Sequence, residues 1–333
     1  WYFGFGYFLF SLYWVAIALT FDQSFRFLIP LAVILLPAFL AIFYGIMTYL
    51  FSIFYSKNIV SSFFIFSILF GIIEFIRGSI LTGFPWNLIA FSFSDSFYFI
   101  QILSIIGTYS FNLICISLFT VPALFILRNS KKEIIICFSF ILLSAAFLIS
   151  GKIKNDNFNS LESIKSSYTI KAISPNISLD RFYSNQEELK IINELIELSA
   201  PTKVEPTIYL WPEGIIPESY LEDMSVYKNL FLNRFGENDL IIMGLNSREI
   251  KNYEYKYFNS MAVFNNNLDI IAAYNKVNLV PFGEFIPFES ILSLIGLKTV
   301  TNSYQSFSKG ETRTPLNVKN SKIDLNLLPL ICY

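Results

Sequence analysis

The sequence predicts a polytopic α-helical membrane domain followed by an α/β domain. Two observations carry this. Residues 1–150 hold six of the 24 Lys/Arg and four of the 25 Asp/Glu, so nearly all the charge lies in the second half. After residue 168 the apolar residues stop forming long runs and fall instead into short β-branched stretches alternating with helical periodicity. Over the whole chain charged residues are only 15% and mean hydropathy is +0.54, against about 25% charged for a soluble domain. The expected organisation is a transmembrane domain over 1–150, a polar linker over 151–167, and a globular domain over 168–333.

Five apolar stretches match the length of about 20 residues that a bilayer crossing needs. They lie near 1–20, 28–55, 60–82, 98–127 and 134–150, the fourth interrupted by Gly107 and Asn112. Lys57 falls between the second and third, and Arg128, Lys131 and Lys132 between the fourth and fifth. Lys and Arg mark cytoplasmic loops. With alternating spans, the loops near 21–27 and 83–97 and everything after Gly151 then face outward, and Arg26 is the one counter-signal.

Glu74 and Arg77 are three apart near the end of the third span, a spacing that brings them together on a helix. They read as a mutually neutralising pair or as a lipid or substrate contact. Gly83-Phe84-Pro85-Trp86-Asn87 follows on the outer side. Trp86 reads as an interfacial anchor, and Phe84, Trp86 and Asn87 are candidates for contact with a lipid substrate.

In the second half, strands are expected at Tyr168–Ser174, Thr207–Trp211, Asp239–Leu245, Phe258–Phe264, Leu268–Tyr274 and Ile323–Cys332. Helices are expected at Gln186–Ser199, with Leu189, Ile192, Leu195, Ile196 and Leu198 as its apolar stripe, and at 219–235. Such an order suggests a layered sandwich with helices outside.

Composition removes several chemistries. A net charge of −1 gives no sign of a nucleic-acid partner. With no histidine, Ser-His-Asp and Cys-His triads and His-ligated metals are excluded within these residues. Cys115 and Cys137 lie in apolar runs as fillers, so the three cysteines give no disulfide framework.

Polar residues out of keeping with their apolar neighbours close several strands: Glu213 after Trp211-Pro212, Lys276 after Tyr274-Asn275, and Cys332 after Leu330-Ile331, with Glu284 in Val280-Pro281-Phe282-Gly283-Glu284. Strand-end residues can converge on one crevice. A thiol must lose its proton to attack a carbonyl. Without histidine a carboxylate is the available base, and a Lys ammonium favours the thiolate and steadies an oxyanion. Cys, Lys and Glu together suffice for acyl transfer through a thioester. Each signal also has a bland reading: a small buried Cys, a surface-turn Glu, and a Lys276–Glu284 salt bridge of little worth.

The segments around these positions resemble the apolipoprotein N-acyltransferases, membrane-embedded members of the nitrilase-like superfamily. The resemblance is carried by Trp211-Pro212-Glu213, by Tyr274-Asn275-Lys276-Val277-Asn278-Leu279-Val280-Pro281-Phe282-Gly283-Glu284-Phe285-Ile286-Pro287, and by Ile331-Cys332-Tyr333. Phe258-Asn259-Ser260 and Ser174-Pro175-Asn176-Ile177 are similar too. So are Gly4-Phe5-Gly6-Tyr7-Phe8, Tyr13-Trp14, Glu74 with Arg77, and Thr82-Gly83-Phe84-Pro85-Trp86 in the membrane half.

The resemblance implies an α-β-β-α sandwich with Glu213 as general base, Lys276 as oxyanion stabiliser and Cys332 as nucleophile. Glu284 and Tyr333 are then supporting residues. It implies a ping-pong transfer from a phospholipid acyl donor to the N-terminal amine of a diacylglyceryl-cysteine apolipoprotein. It implies no metal or organic cofactor and no nucleic acid, and a multi-pass protein of the bacterial inner membrane with its catalytic domain in the periplasm. Asn278 stands where the family has His, and a family Trp is missing near Phe182 or Tyr183. The family also has spans before Trp1 and continues past Tyr333, so the sandwich is expected to be truncated at its C-terminal side. Two rival readings are a membrane-tethered nitrilase-like amidase and a non-enzymatic membrane scaffold or transporter half.

Overall fold

A computed structural model describes residues 1–20, 23–80, 83–161, 166–176, 188–216, 219–251, 253–281, 283–285, 287 and 306–332. The chain divides into two compact units, Trp1–Ser163 and Ile164–Tyr333.

The first unit is helical. Among the described residues, five stretches are long and apolar enough to cross a membrane: Tyr2–Thr20, Arg26–Phe54, Ile59–Arg77, Leu103–Ile126 and Lys131–Asn159. The first is α1 (Tyr2–Leu12), which tightens into a 3-10 helix over Tyr13–Thr20. The second contains α2 (Ile29–Phe54). The third is α3 (Ile59–Arg77), capped by Asn58, whose side chain accepts from Ser61 N at 3.1 Å. A four-residue turn, α4 (Phe97–Ile100), precedes α5 (Leu103–Ile126). The last is α6 (Lys131–Asn159). Large apolar side chains such as Phe10, Leu35, Phe119 and Leu142 are exposed along these helices. That outward apolar surface is what lipid-facing helices present.

Three expectations change here. Gly107 does break α5, at φ 75°, but Asn112 does not. Its buried side-chain Oδ1 accepts from Ala90 N at 2.9 Å, so the polar residue serves a neighbouring turn while its own backbone stays helical. The third helix stops at Arg77, not near 82, where Gly78 takes over the last-turn carbonyls. The fifth helix continues through 151–159, where a linker was expected. Lys152 to Asn159 holds no proline, and polar composition alone does not end a helix. A capping box of Ser130 and Glu133 starts it.

The second unit is built on a five-stranded sheet in the order β1 (Thr169–Ala172), β2 (Thr207–Leu210), β3 (Leu240–Lys251), β4 (Glu254–Phe264), β5 (Ile270–Asn275). The first three strands are parallel and the last two antiparallel. Period-two alternation divides its core. Tyr209, Ile241, Met243 and Phe264 pack with α7 (Glu188–Ser199) and α8 (Lys228–Arg234) on one face. Ile208, Leu240, Ile242 and Val263 pack on the other face with a hairpin, β6 (Leu316–Lys319) and β7 (Asp324–Leu327). Helix, sheet and second sheet thus lie in layers, as the alternation predicts.

Details differ from the sequence expectation. The buried stripe of α7 is Ile191, Ile192, Leu195, Ile196 and Ser199, while Leu189 and Leu198 are exposed. Ser199 holds an apolar position because its Oγ receives the indole N–H of buried Trp211 at 2.9 Å. The region 221–234 is a 3-10 turn followed by a short helix. The last strand ends at Leu327, not Cys332. Pro329 lacks the N–H that a ladder requires, and Cys332 turns to φ 62°.

Candidate active site

Three of the residues singled out in the sequence, Glu213, Lys276 and Glu284, meet beside the ends of β2 and β5. β2 leads through Trp211, whose N–H donates to Ile242 O at 2.8 Å, into the turn that carries Glu213. That turn passes directly over β3: a Cβ on Gly244 would lie 2.6 Å from Glu213 Cα. Only glycine lets the two backbones approach so closely. Lys276 follows β5, and its N–H donates to Asn259 O on β4 at 2.8 Å. Glu284 follows a turn in which its N–H donates to Val280 O, while its own Oε2 accepts from Val280 N at 2.7 Å.

Lys276 is buried, at 3% side-chain exposure. Its Nζ lies 2.9 Å from Glu284 Oε1 and 3.4 Å from Glu213 Oε1. Glu284 is nearly as enclosed, whereas Glu213 keeps 40% of its side chain exposed. Burial alone depresses the Lys276 ammonium, but Glu284, Glu213 and Cys332 together outweigh it and raise its pKa above the ordinary lysine value. Lys276 therefore stays charged at neutral pH.

Cys332 is exposed and in a left-handed backbone conformation. Such backbone positions in non-glycine residues concentrate at functional sites. Its thiol interacts electrostatically with the same three groups. Partial desolvation raises its pKa, Lys276 lowers it, and Glu213 and Glu284 raise it, leaving it above the ordinary thiol value. At neutral pH the sulfur is protonated, and attack on a carbonyl needs a base to remove that proton.

Two features escape the sequence reading. Asn259 Nδ2 lies 2.6 Å from both Glu213 Oε1 and Glu284 Oε1. The Phe258-Asn259-Ser260 segment contributes to the resemblance, but nothing in it signals this bridge. The second feature is a strap over 307–310. Phe307 N–H donates to Glu284 O, Ser308 N–H to Tyr257 O and Gly310 N–H to Lys276 O, at 2.7–2.8 Å. A side chain on Gly310 would run into the Asn275 carbonyl, which explains a glycine there.

In the first unit Glu74 and Arg77 are fully buried and paired. Arg77 Nε and Nη2 donate to Glu74 at 3.1 and 2.8 Å, and Nη1 donates to Phe84 O at 2.8 Å and Trp86 O at 2.9 Å. Tyr7 OH donates to Asn87 O at 3.1 Å, and Trp86 stacks on Trp14 at 4.9 Å. Asn87 stands at φ 60°. The pair thus fixes the loop holding Phe84, Trp86 and Asn87. Tyr333, Phe182 and Tyr183 lie outside the described residues.

Residues 1–121 match the family model described as the apolipoprotein N-acyltransferase N-terminal domain. The chain resembles the apolipoprotein N-acyltransferases along its whole length. A relative with that name from Brucella melitensis is 30% identical over 341 residues, and one from Rhizobium leguminosarum is 32% identical over 343. One from Rhodopseudomonas palustris is 26% identical over 355 residues. Each alignment takes in 100% of this chain and 63% of the relative, so the chain spans under two thirds of the length of these relatives. A solved structure titled "Crystal structure of N-terminal amidase" aligns with 47% of this chain and 37% of its own, at 15% identity and a TM-score of 0.24.

Proposed function

We propose that the protein transfers an acyl chain from a membrane phospholipid to the N-terminal amine of a diacylglyceryl-cysteine apolipoprotein, through a thioester on Cys332. The observation that carries this reading is the buried Lys276 held between Glu213 and Glu284, with the Cys332 thiol within reach of their charges. The named relatives and the five apolar helices support lipid-anchored substrates.

In the first half-reaction Glu213 takes the proton from Cys332 as its sulfur attacks the acyl ester carbonyl. The electron pair of the carbonyl moves onto oxygen, and Lys276 donates a hydrogen bond to that oxyanion. When the pair returns, the ester C–O bond breaks. Glu213 passes its proton to the departing oxygen, and a lysophospholipid leaves. In the second half-reaction the lipoprotein amine attacks the thioester and Glu213 takes an amine proton. The C–S bond breaks and the sulfur recovers a proton, leaving an amide. Glu284 holds Lys276 throughout, and Tyr333 supports the nucleophile. Phe84, Trp86 and Asn87 contact lipid from the loop that Arg77 fixes. The catalytic domain faces the periplasm of a bacterial inner membrane, since Lys57, Arg128, Lys131 and Lys132 place the opposite loops in the cytoplasm.

The test is reconstitution of the full-length protein in phospholipid vesicles with a synthetic diacylglyceryl lipopeptide. Mass spectrometry is expected to find an acyl adduct on Cys332 that disappears as N-acylated lipopeptide forms. Discharge to water alone would make the protein a phospholipid ester hydrolase. No adduct on a folded protein would end the proposal.

A further inference from the structure

Glu213 Oε1 and Glu284 Oε1 are each held twice: by Lys276 Nζ at 3.4 and 2.9 Å, and by Asn259 Nδ2 at 2.6 Å in both cases. Two nitrogens and two oxygens close a ring. Two carboxylates on one ammonium leave the cluster one negative charge in excess, and like charges so close repel each other. An amide opposes this without adding charge, because its two N–H groups can each point at one carboxylate. The 2.6 Å distances also settle which way the amide faces: its oxygen in that place would meet two carboxylate oxygens.

The base is the member with most need of restraint. Glu213 is 40% exposed, and its bond to Lys276 is long. The short bond from Asn259 is what fixes its reactive oxygen. Asn259 is itself fixed, since it sits in β4 opposite β3 and its backbone carbonyl receives the Lys276 N–H. The next residue, Ser260, donates its Oγ to Asn275 Oδ1 at 2.7 Å, which secures the strand leading to Lys276.

We infer that Asn259 is a positioning residue that clamps Glu213 beside Lys276, in place for proton abstraction from Cys332. This rests on the acyl-transfer reading for the identity of the base. Among the described residues, Lys276 and Cys332 interact electrostatically with Glu213, and Glu284 shares Lys276 and Asn259 with it. Glu249 lies one residue further off, against Asn275 Nδ2 at 3.4 Å.

Asn259→Asp keeps the shape but sets a third carboxylate on the one ammonium. In full-length protein in phospholipid vesicles, we expect the acid limb of the pH profile for Cys332 thioester formation to move up by about one unit or more. The rate lost at neutral pH should then return in alkali. Asn259→Ala releases Glu213 and should lower the rate about tenfold or more at every pH, without recovery. Equal acid limbs in Asn259→Asp and wild type would overturn the inference, as would an Asn259→Ala rate within about twofold of wild type. A purely structural Asn259 would lower the folded fraction and leave the profile of that fraction unmoved, which also counts against it.

Alkylation of Cys332 by iodoacetamide across pH separates this inference from the acyl-transfer reading, since it needs no acyl donor. The added charge in Asn259→Asp should raise its midpoint even if wild type forms no thioester. An unmoved midpoint would overturn the clamp on its own.

Discussion

Among the described residues, each unit buries one cation against glutamate, and the two cations are used in opposite ways. Arg77 commits four of its five N–H donors, two to Glu74 and two to loop carbonyls. Lys276 is a point charge between two carboxylates, one enclosed and one open to solvent, with a thiol in its electrostatic reach. The first arrangement fixes backbone. The second leaves a carboxylate and a charge open to a reacting group. A buried ion pair alone therefore says little about function; what distinguishes the two is whether the other partners are backbone carbonyls or a solvent-open carboxylate and a thiol.

The sharpest way to break this comparison is to make both pairs apolar. Removing one partner of a buried pair costs about 3–5 kcal/mol, whereas replacing both by apolar residues of similar volume is often neutral. Arg77→Ala and Glu284→Ala should each destabilise their unit by that amount in denaturant melts of the detergent-solubilised protein. Glu74→Leu/Arg77→Met should recover most of the stability and retain measurable thioester formation. Glu284→Leu/Lys276→Met should recover stability and form no thioester. Loss of thioester in both double variants would erase the distinction drawn above.

Removing single charges around the thiol is the next test. Lys276 lowers the Cys332 pKa and Glu213 raises it. Lys276→Met should thus shift the midpoint of Cys332 alkylation upward, and Glu213→Gln should shift it downward. Glu213→Gln should nonetheless lower thioester formation by about a hundredfold or more, because the proton acceptor is gone. A reactive thiolate that cannot transfer acyl chains is the signature expected of a missing base. A smaller effect is expected at Gly244→Ala, where the new Cβ must displace Glu213 backbone. Loss of about tenfold in the thioester rate with little change in the alkylation midpoint would fit, since misplacement of about 1 Å can cost up to about a hundredfold. Cys115→Ala and Cys137→Ala should leave the thioester rate unchanged and only soften the melt, since both thiols fill apolar packing.

Much of the fold was legible because its signals are local. Apolar length marks five spans, and β-branched runs mark β2 to β5. The reading failed where tertiary context decides. Asn112 reads as a helix interruption until Ala90 N is seen to need an acceptor. Ser199 falls outside the apolar stripe expected for its helix until Trp211 is seen to need an acceptor too. Residues 151–159 read as linker because composition shifts there, although the helix itself has no reason to stop. Strand β6 is too short and polar to stand out in the sequence. At the site, Lys276, Glu213 and Glu284 were legible as polar residues closing apolar strands. Asn259 and the strap over 307–310 were not, because their roles depend on distances between segments far apart in sequence.

The most direct test of the central claim is the mass of the peptide carrying Cys332 after the full-length protein is incubated with phospholipid bearing deuterated acyl chains. The account predicts a deuterated acyl group on Cys332, removed by hydroxylamine and absent in Cys332→Ala. Deuterated acyl on another residue, or unmodified Cys332 in a folded protein with accessible donor, would contradict it.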